Sequence, residues 1–146
     1  MPTASAAPHI VVVEDNVDAN NLLRDWLRLH FRVTSFLDAE TTLRLLPPGD
    51  EPTVFLIDYN MPGDNGLVLK KKIAPSFPNG KYILISGLLD EKLAAQAREA
   101  GFDDLLPKPF GMPVVTQKID ALLGISHREN LVDRLRQASQ MVNTLI

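Results

Sequence analysis

Short apolar runs in this chain end on polar side chains that could do chemistry. Glu14 and Asp15 follow HIVVV (9–13), Asp58 closes TVFLID (53–58), Ser86 closes KYILIS (81–86), and Lys108 comes directly after DDLLP (103–107). Singly, each has an ordinary reading: loop acids, helix N-caps at Asp58 and Ser86, a surface lysine. Gathered in one place they read differently. Carboxylates that share a cleft repel one another and call for a hard cation. A site of one or two carboxylates completed by water and a phosphate oxygen suits Mg²⁺, with Mn²⁺ as a substitute. An amine and a hydroxyl beside that ion are the groups that hold phosphoryl oxygens. A carboxylate, a divalent cation and a lysine together describe phosphoryl transfer to Asp58, giving an acyl phosphate.

These side chains can meet only if the elements between them bring the run ends to one edge. HIVVV and TVFLID are continuously apolar, as strands buried on both faces are. FRVTSF (31–36) alternates and reads as a strand nearer the edge of the sheet. KYILIS and DDLLP supply the remaining strands. Between them lie helical patterns: Ala19, Leu22, Leu23, Trp26 and Leu27 recur at helical spacing; 38–46 opens on Asp38; 65–75 carries Lys70, Lys71 and Lys72, read as a solvated face; 90–101 has an acidic start and a terminal Gly; 113–123 puts Val115, Ile119 and Leu122 on one side. Repeated β-α alternation implies a parallel sheet between helices. In such a sheet every strand's carboxyl end lies on one edge, where ligands bind.

The bulk composition narrows the field. At 146 residues, 45% hydrophobic and 23% charged, the chain has the material for one ordinary core. It contains no cysteine, which excludes disulfides and Cys-based zinc sites. A net charge of −3 gives no electrostatic reason to expect contact with nucleic acid or anionic lipid. No apolar run reaches membrane-spanning length, and the N-terminus lacks the basic region of a signal peptide, so the expected location is cytoplasmic.

The motifs VVVEDN, LIDYNMPGDNG, LISG and LPKPF, in this order and register, resemble the bacterial response-regulator receiver domain of two-component signalling, over residues 9–124. The resemblance implies a flavodoxin-like, doubly wound α/β fold with a five-stranded parallel sheet in the order 2-1-3-4-5. Asp58 matches the phosphoacceptor. Glu14, Asp15, Asp58 and the backbone carbonyl of Asn60 match the Mg²⁺ site. Ser86 matches the hydroxyl that turns toward the phosphate, and Lys108 the amine that pairs with it. Pro109 matches a proline preceded by a cis peptide bond, Gly87 leaves room for a donor, and Gly66 fits the turn into the third helix. The implied partner is a sensor histidine kinase or a histidine phosphotransfer protein. The implied chemistry is self-catalysed phosphoryl acceptance with slow autodephosphorylation, not enzymatic turnover on a separate substrate.

The chain departs from the family pattern at one switch position. Leu105 stands where the family usually carries Tyr or Phe. Asp104 and Lys118 match two members of a charged dimerisation set, whereas Ala94 replaces its Arg. A rival class, the phosphoaspartate hydrolases, needs an acid two residues after the nucleophile, where this chain has Asn60. A second rival is a degenerate receiver that only binds. Residues 1–8 read as a loose tail and 125–146 as a helical extension. There Leu131, Leu135, Ala138, Val142 and Leu145 follow 4-3-4-3 spacing. That is the seam of a short coiled coil or of a helix docked on its own domain. A homodimer would use 127–145 or the face made by the fourth helix, fifth strand and fifth helix. Arg128 after His127, with no proline beyond, departs from a phosphorylatable histidine box.

Overall fold

The computed structural model describes residues 7–125; the extension expected over 127–145 lies outside them. Five strands alternate with helices: β1 (His9–Val13), α1 (Val17–Leu27), β2 (Arg32–Phe36), α2 (Ala39–Leu45), β3 (Thr53–Asp58), α3 (Gly66–Ile73), β4 (Gly80–Ser86), α4 (Glu91–Glu99), β5 (Asp104–Pro107) and α5 (Met112–Leu123). The strands form one parallel sheet in the order β2-β1-β3-β4-β5. This is the flavodoxin-like order that the resemblance implied. The alternating strand is indeed at an edge, and β3 is buried along its whole length.

Period-two alternation sorts the strand residues between two cores. Ile10, Val12, Val54, Leu56, Ile83, Ile85 and Leu106 face Leu23, Trp26 and Leu27 of α1 and Val115 and Ile119 of α5. Val11, Val13, Phe55, Ile57, Tyr82 and Leu84 face Ala39 of α2, Leu69 and Ile73 of α3, and Leu93 and Ala97 of α4. Each fully buried Leu, Ile or Val contributes about 1.5–3 kcal/mol. A buried hydrogen bond from the Trp26 indole to Thr116 Oγ1 (2.8 Å) ties α1 to α5.

The helix starts explain several polar residues. Asn16 caps α1, Asp38 caps α2, Asn65 caps α3 and Asp90 caps α4, each accepting a backbone N–H two or three positions into its helix. Glu14, Asp58 and Ser86 are therefore not the capping residues. The helix expected over 65–75 stops at Ile73, where Pro75 shifts the chain into a 3₁₀ turn (Ala74–Ser76).

Two side-chain placements differ from the periodic reading. Leu22 is 58% exposed, while Asn20 is buried with Leu23, Trp26 and Leu27. The helix is rotated so that an amide, not a leucine, faces the strand ends. The lysine triplet is only partly a solvated face. The Lys70 ammonium sits 4.9 Å from the Tyr82 ring centroid, and Lys72 pairs with Asp64 at 2.7 Å. Ala7 and Pro8, at the end of the segment expected to be loose, give their carbonyls to Arg32.

Candidate functional site

The parallel ladder delivers the acids and the amine to the carboxyl edge of the sheet. β1 and β3 run in register to Val13 opposite Ile57, so Glu14 and Asp58 emerge side by side. Ligand oxygens of Glu14, Asp15 and Asp58 lie within 4.8 Å of one another. Glu14 and Asp58 are buried, and Asp15 is exposed. Ser86 ends β4 one residue beyond Ile85, the partner of Asp58. Its hydroxyl oxygen accepts the Leu88 N–H at 3.2 Å. Asn60 lies on the exposed loop that leaves β3.

Lys108 comes from the far side of the sheet. Its N–H donates to the Ser86 carbonyl at 2.8 Å, and the Lys108–Pro109 peptide bond is cis, as the family match implied. The ammonium lies 3.0 Å from Glu14 Oε1 and 3.4 Å from Asp58 Oδ2. At Glu14 it is close enough for an ion pair but not aligned for a hydrogen bond, so this buried oxygen has no hydrogen-bond partner. A buried carboxylate oxygen held by an ion pair alone, grouped with two further carboxylates, fits a site built for a hard cation.

Charge in this pocket is unevenly shared. Burial, then the neighbouring Glu14 carboxylate, push Asp58 up to about 7, against the pull of Lys108. Burial also works to raise Glu14. The neighbouring Asp58 carboxyl, the Lys108 ammonium and the hydrogen bond accepted from the Asn16 N–H outweigh that effect, so its carboxyl lies below its usual range. Burial alone would lower Lys108, but Glu14 and Asp58 hold its ammonium charged above the ordinary lysine value.

Gly66 matters through close approach. A Cβ there would stand 2.6 Å from the Asp58 carbonyl oxygen and 3.0 Å from Leu84. Its N–H donates to the Tyr59 carbonyl at 3.0 Å, folding the loop that carries Asn60 back onto β3. The turn expected at this glycine is thus made by backbone contact across the strand end. A Cβ at Gly87 would meet nothing, so the approach beside Ser86 is open. Leu105 pairs with Leu84 and is half-buried against the α3–α4 core. Asp104 and Lys118 bind each other within the chain at 3.1 and 3.2 Å.

One residue at this edge was missed by sequence reasoning. The Asn20 side-chain amide donates to the carbonyls of Glu14 (3.0 Å) and Phe36 (2.9 Å). The available signal was a polar residue in the stripe that Leu23 and Leu27 continue.

A five-stranded parallel sheet with carboxylates and a lysine gathered at its carboxyl edge defines a receiver-type signalling module. The family model for the response regulator receiver domain matches residues 10–120, and the chain belongs to that family. It is 32% identical over 121 residues to protein PetR of Rhodobacter capsulatus, covering 82% of this chain and 50% of PetR. It is 34% identical over 114 residues to the C4-dicarboxylate transport transcriptional regulatory protein DctD of Rhizobium meliloti, covering 77% of this chain and 25% of DctD. The chain thus spans half or less of these relatives. Among solved structures, the BeF3-activated receiver domain of DrrB superposes with a TM-score of 0.74 at 25% identity, covering 81% of this chain and 98% of that one. Among the described residues, no helix is long and apolar enough to cross a membrane.

Proposed function

We propose that the chain accepts a phosphoryl group on Asp58 from a phosphohistidine of a sensor histidine kinase or histidine phosphotransfer protein, in an Mg²⁺-dependent step in the cytoplasm. The observation that carries this reading is the grouping of Glu14, Asp15 and Asp58 within 4.8 Å, with the Lys108 ammonium 3.0 Å from Glu14 and 3.4 Å from Asp58.

A carboxylate oxygen of Asp58 attacks phosphorus. A P–O bond forms as the P–N bond breaks, the imidazole nitrogen keeps the electron pair, and the charged group stays on Asp58. Glu14, Asp15, Asp58 and the carbonyl of Asn60 would hold Mg²⁺, or Mn²⁺ in its place. That ion supplies positive charge to the phosphoryl oxygens. Lys108 shifts from the carboxylates to a phosphoryl oxygen, exchanging one anionic partner for another without losing its proton. The Ser86 hydroxyl turns from the Leu88 N–H and donates to a second oxygen. A groove of about 520 Å³ beside Glu14 and Lys108, walled by Leu22, Phe110 and Met112, gives the donor a partly apolar seat.

The response passes outward through the face made by α4, β5 and α5, or through residues 127–145. With Leu105 in the switch position the first route is weakened. Asp104 and Lys118 would have to exchange their partner within the chain for one across a dimer. Incubation with a small acyl phosphate tests the chemistry. Wild type takes up one hydroxylamine-sensitive phosphoryl group with Mg²⁺ present, and Asp58→Asn takes up none. Labelling of Asp58→Asn on Ser or Thr would contradict the reading.

A further inference from the structure

The acid pair sits where the sheet stops holding the backbone. The last rung between β1 and β2 joins Val13 to Phe36. One residue later the Glu14 N–H still reaches the Phe36 carbonyl at 3.1 Å. Beyond that, no further β2 residue continues the ladder. Downstream, the start of α1 is fixed by Asn16, whose Oδ1 accepts the Ala19 N–H at 2.9 Å and whose own N–H donates to Glu14 Oε2 at 3.1 Å. Between these two anchors lie Glu14 and Asp15.

Asn20 closes that gap. It projects from α1, is 3% exposed, and spends both hydrogens of its amide on the Glu14 and Phe36 carbonyls. The two bonds together bridge the ends of β1 and β2 beyond their last rung, through a side chain. Packing alone does not need an amide here, because Leu23, Trp26 and Leu27 fill the rest of the same helix face with apolar groups. A buried amide is retained at little cost only where its donors are satisfied. Here both donors fix the loop that carries the acids.

We propose that Asn20 is a positioning residue for a divalent cation, holding the Glu14–Asp15 backbone so that both carboxylates converge with that of Asp58. This rests on the reading of Glu14, Asp15 and Asp58 as an Mg²⁺ site. Groups one step removed from metal ligands commonly change affinity about 10–100-fold when lost. Asn20 acts through backbone, so the lower end of that range applies.

The test is calorimetric titration of the full chain with Mg²⁺ alone. Asn20→Leu keeps the volume and removes both donors; Asn20→Ala serves if the leucine variant does not fold. Either variant binds Mg²⁺ about tenfold more weakly than wild type. Ile119→Val, a truncation in the same core away from the loop, lowers the melting temperature but leaves Mg²⁺ affinity unchanged. Asp15→Asn tests the underlying site and also weakens binding. Wild-type affinity in a folded Asn20→Leu or Asn20→Ala, alongside weakened Asp15→Asn, overturns the role of Asn20 alone. An equal loss in Ile119→Val overturns it as general destabilisation. Unchanged affinity in Asp15→Asn overturns the metal site itself, and with it the inference.

Discussion

Lys108 and Asp58 are 50 residues apart in sequence, yet the Lys108 ammonium donates to Asp58 Oδ2 at 3.4 Å. The contact is long for a charged hydrogen bond, because the same ammonium sits closer to Glu14, at 3.0 Å. A lysine drawn toward two carboxylates competes with a cation for them. Lys108→Ala should therefore leave Mg²⁺ affinity intact or raise it, whereas Asp15→Asn should lower it. Calorimetric Mg²⁺ titration of both variants checks this, and an equal loss in the two would refute the division of roles.

The metal-free protein should be more stable in mild acid than at neutral pH on account of Asp58. Its folded value of about 7 lies above its ordinary 3.8, so the folded state binds more protons than the unfolded state between those values. Stability from this group is full below pH 3.8 and is lost as pH rises through about 7. Glu14 is held below 4.5 and adds the opposite slope only in stronger acid. His9, lowered from 6.5 by burial and then by Arg32, opposes Asp58 in part of the window. The difference between wild type and Asp58→Asn removes the His9 contribution. That difference, followed by thermal melts, should grow from about pH 5 to about pH 7 and shrink when Mg²⁺ is added. A pH-independent difference would contradict the account.

Gly66→Ala should destabilise the fold by roughly 1–3 kcal/mol. The added methyl would stand 2.6 Å from the backbone oxygen of Asp58, which cannot swing aside as a flexible side chain could. Urea denaturation measures the cost. A Gly87→Ala control, where the methyl meets nothing within 4 Å, should change stability little.

Much of the site could be read from the sequence because strand ends in a parallel sheet share an edge. With the buried runs ending at Val13, Asp58 and Ser86 read as strands, the polar groups at or just after their ends had to be neighbours. What could not be read depends on helix rotation and on contacts across the sheet. Leu22 and Asn20 both fit a helical period, and only packing against β1 and β2 decides that Asn20 turns inward. Asp15 and Glu14 are equivalent as sequence, yet one is exposed and the other buried beside Lys108. The requirement for Gly66 comes from an oxygen eight residues earlier in the chain, a distance invisible to local turn patterns.

Leu105 should mute the conformational response. It is half-buried against the α3–α4 core and lacks both the ring and the hydroxyl of the aromatic residue the family usually carries there. Backbone amide shifts with and without beryllofluoride should change strongly around Asp58 and Ser86 and weakly across residues 90–123. Changes across 90–123 as large as those near Asp58 would show that leucine serves the switch as well as an aromatic ring.

Asp58 is proposed above as the group that takes phosphate from a histidine. The most direct measurement is transfer from a phosphohistidine-bearing donor domain to this chain, followed by intact-mass analysis and mapping of the modified residue. One phosphoryl group per chain is expected, on Asp58, with no transfer when a chelator is present and none in Asp58→Asn. Transfer that persists in Asp58→Asn, or that proceeds equally with the divalent ions removed, would contradict it.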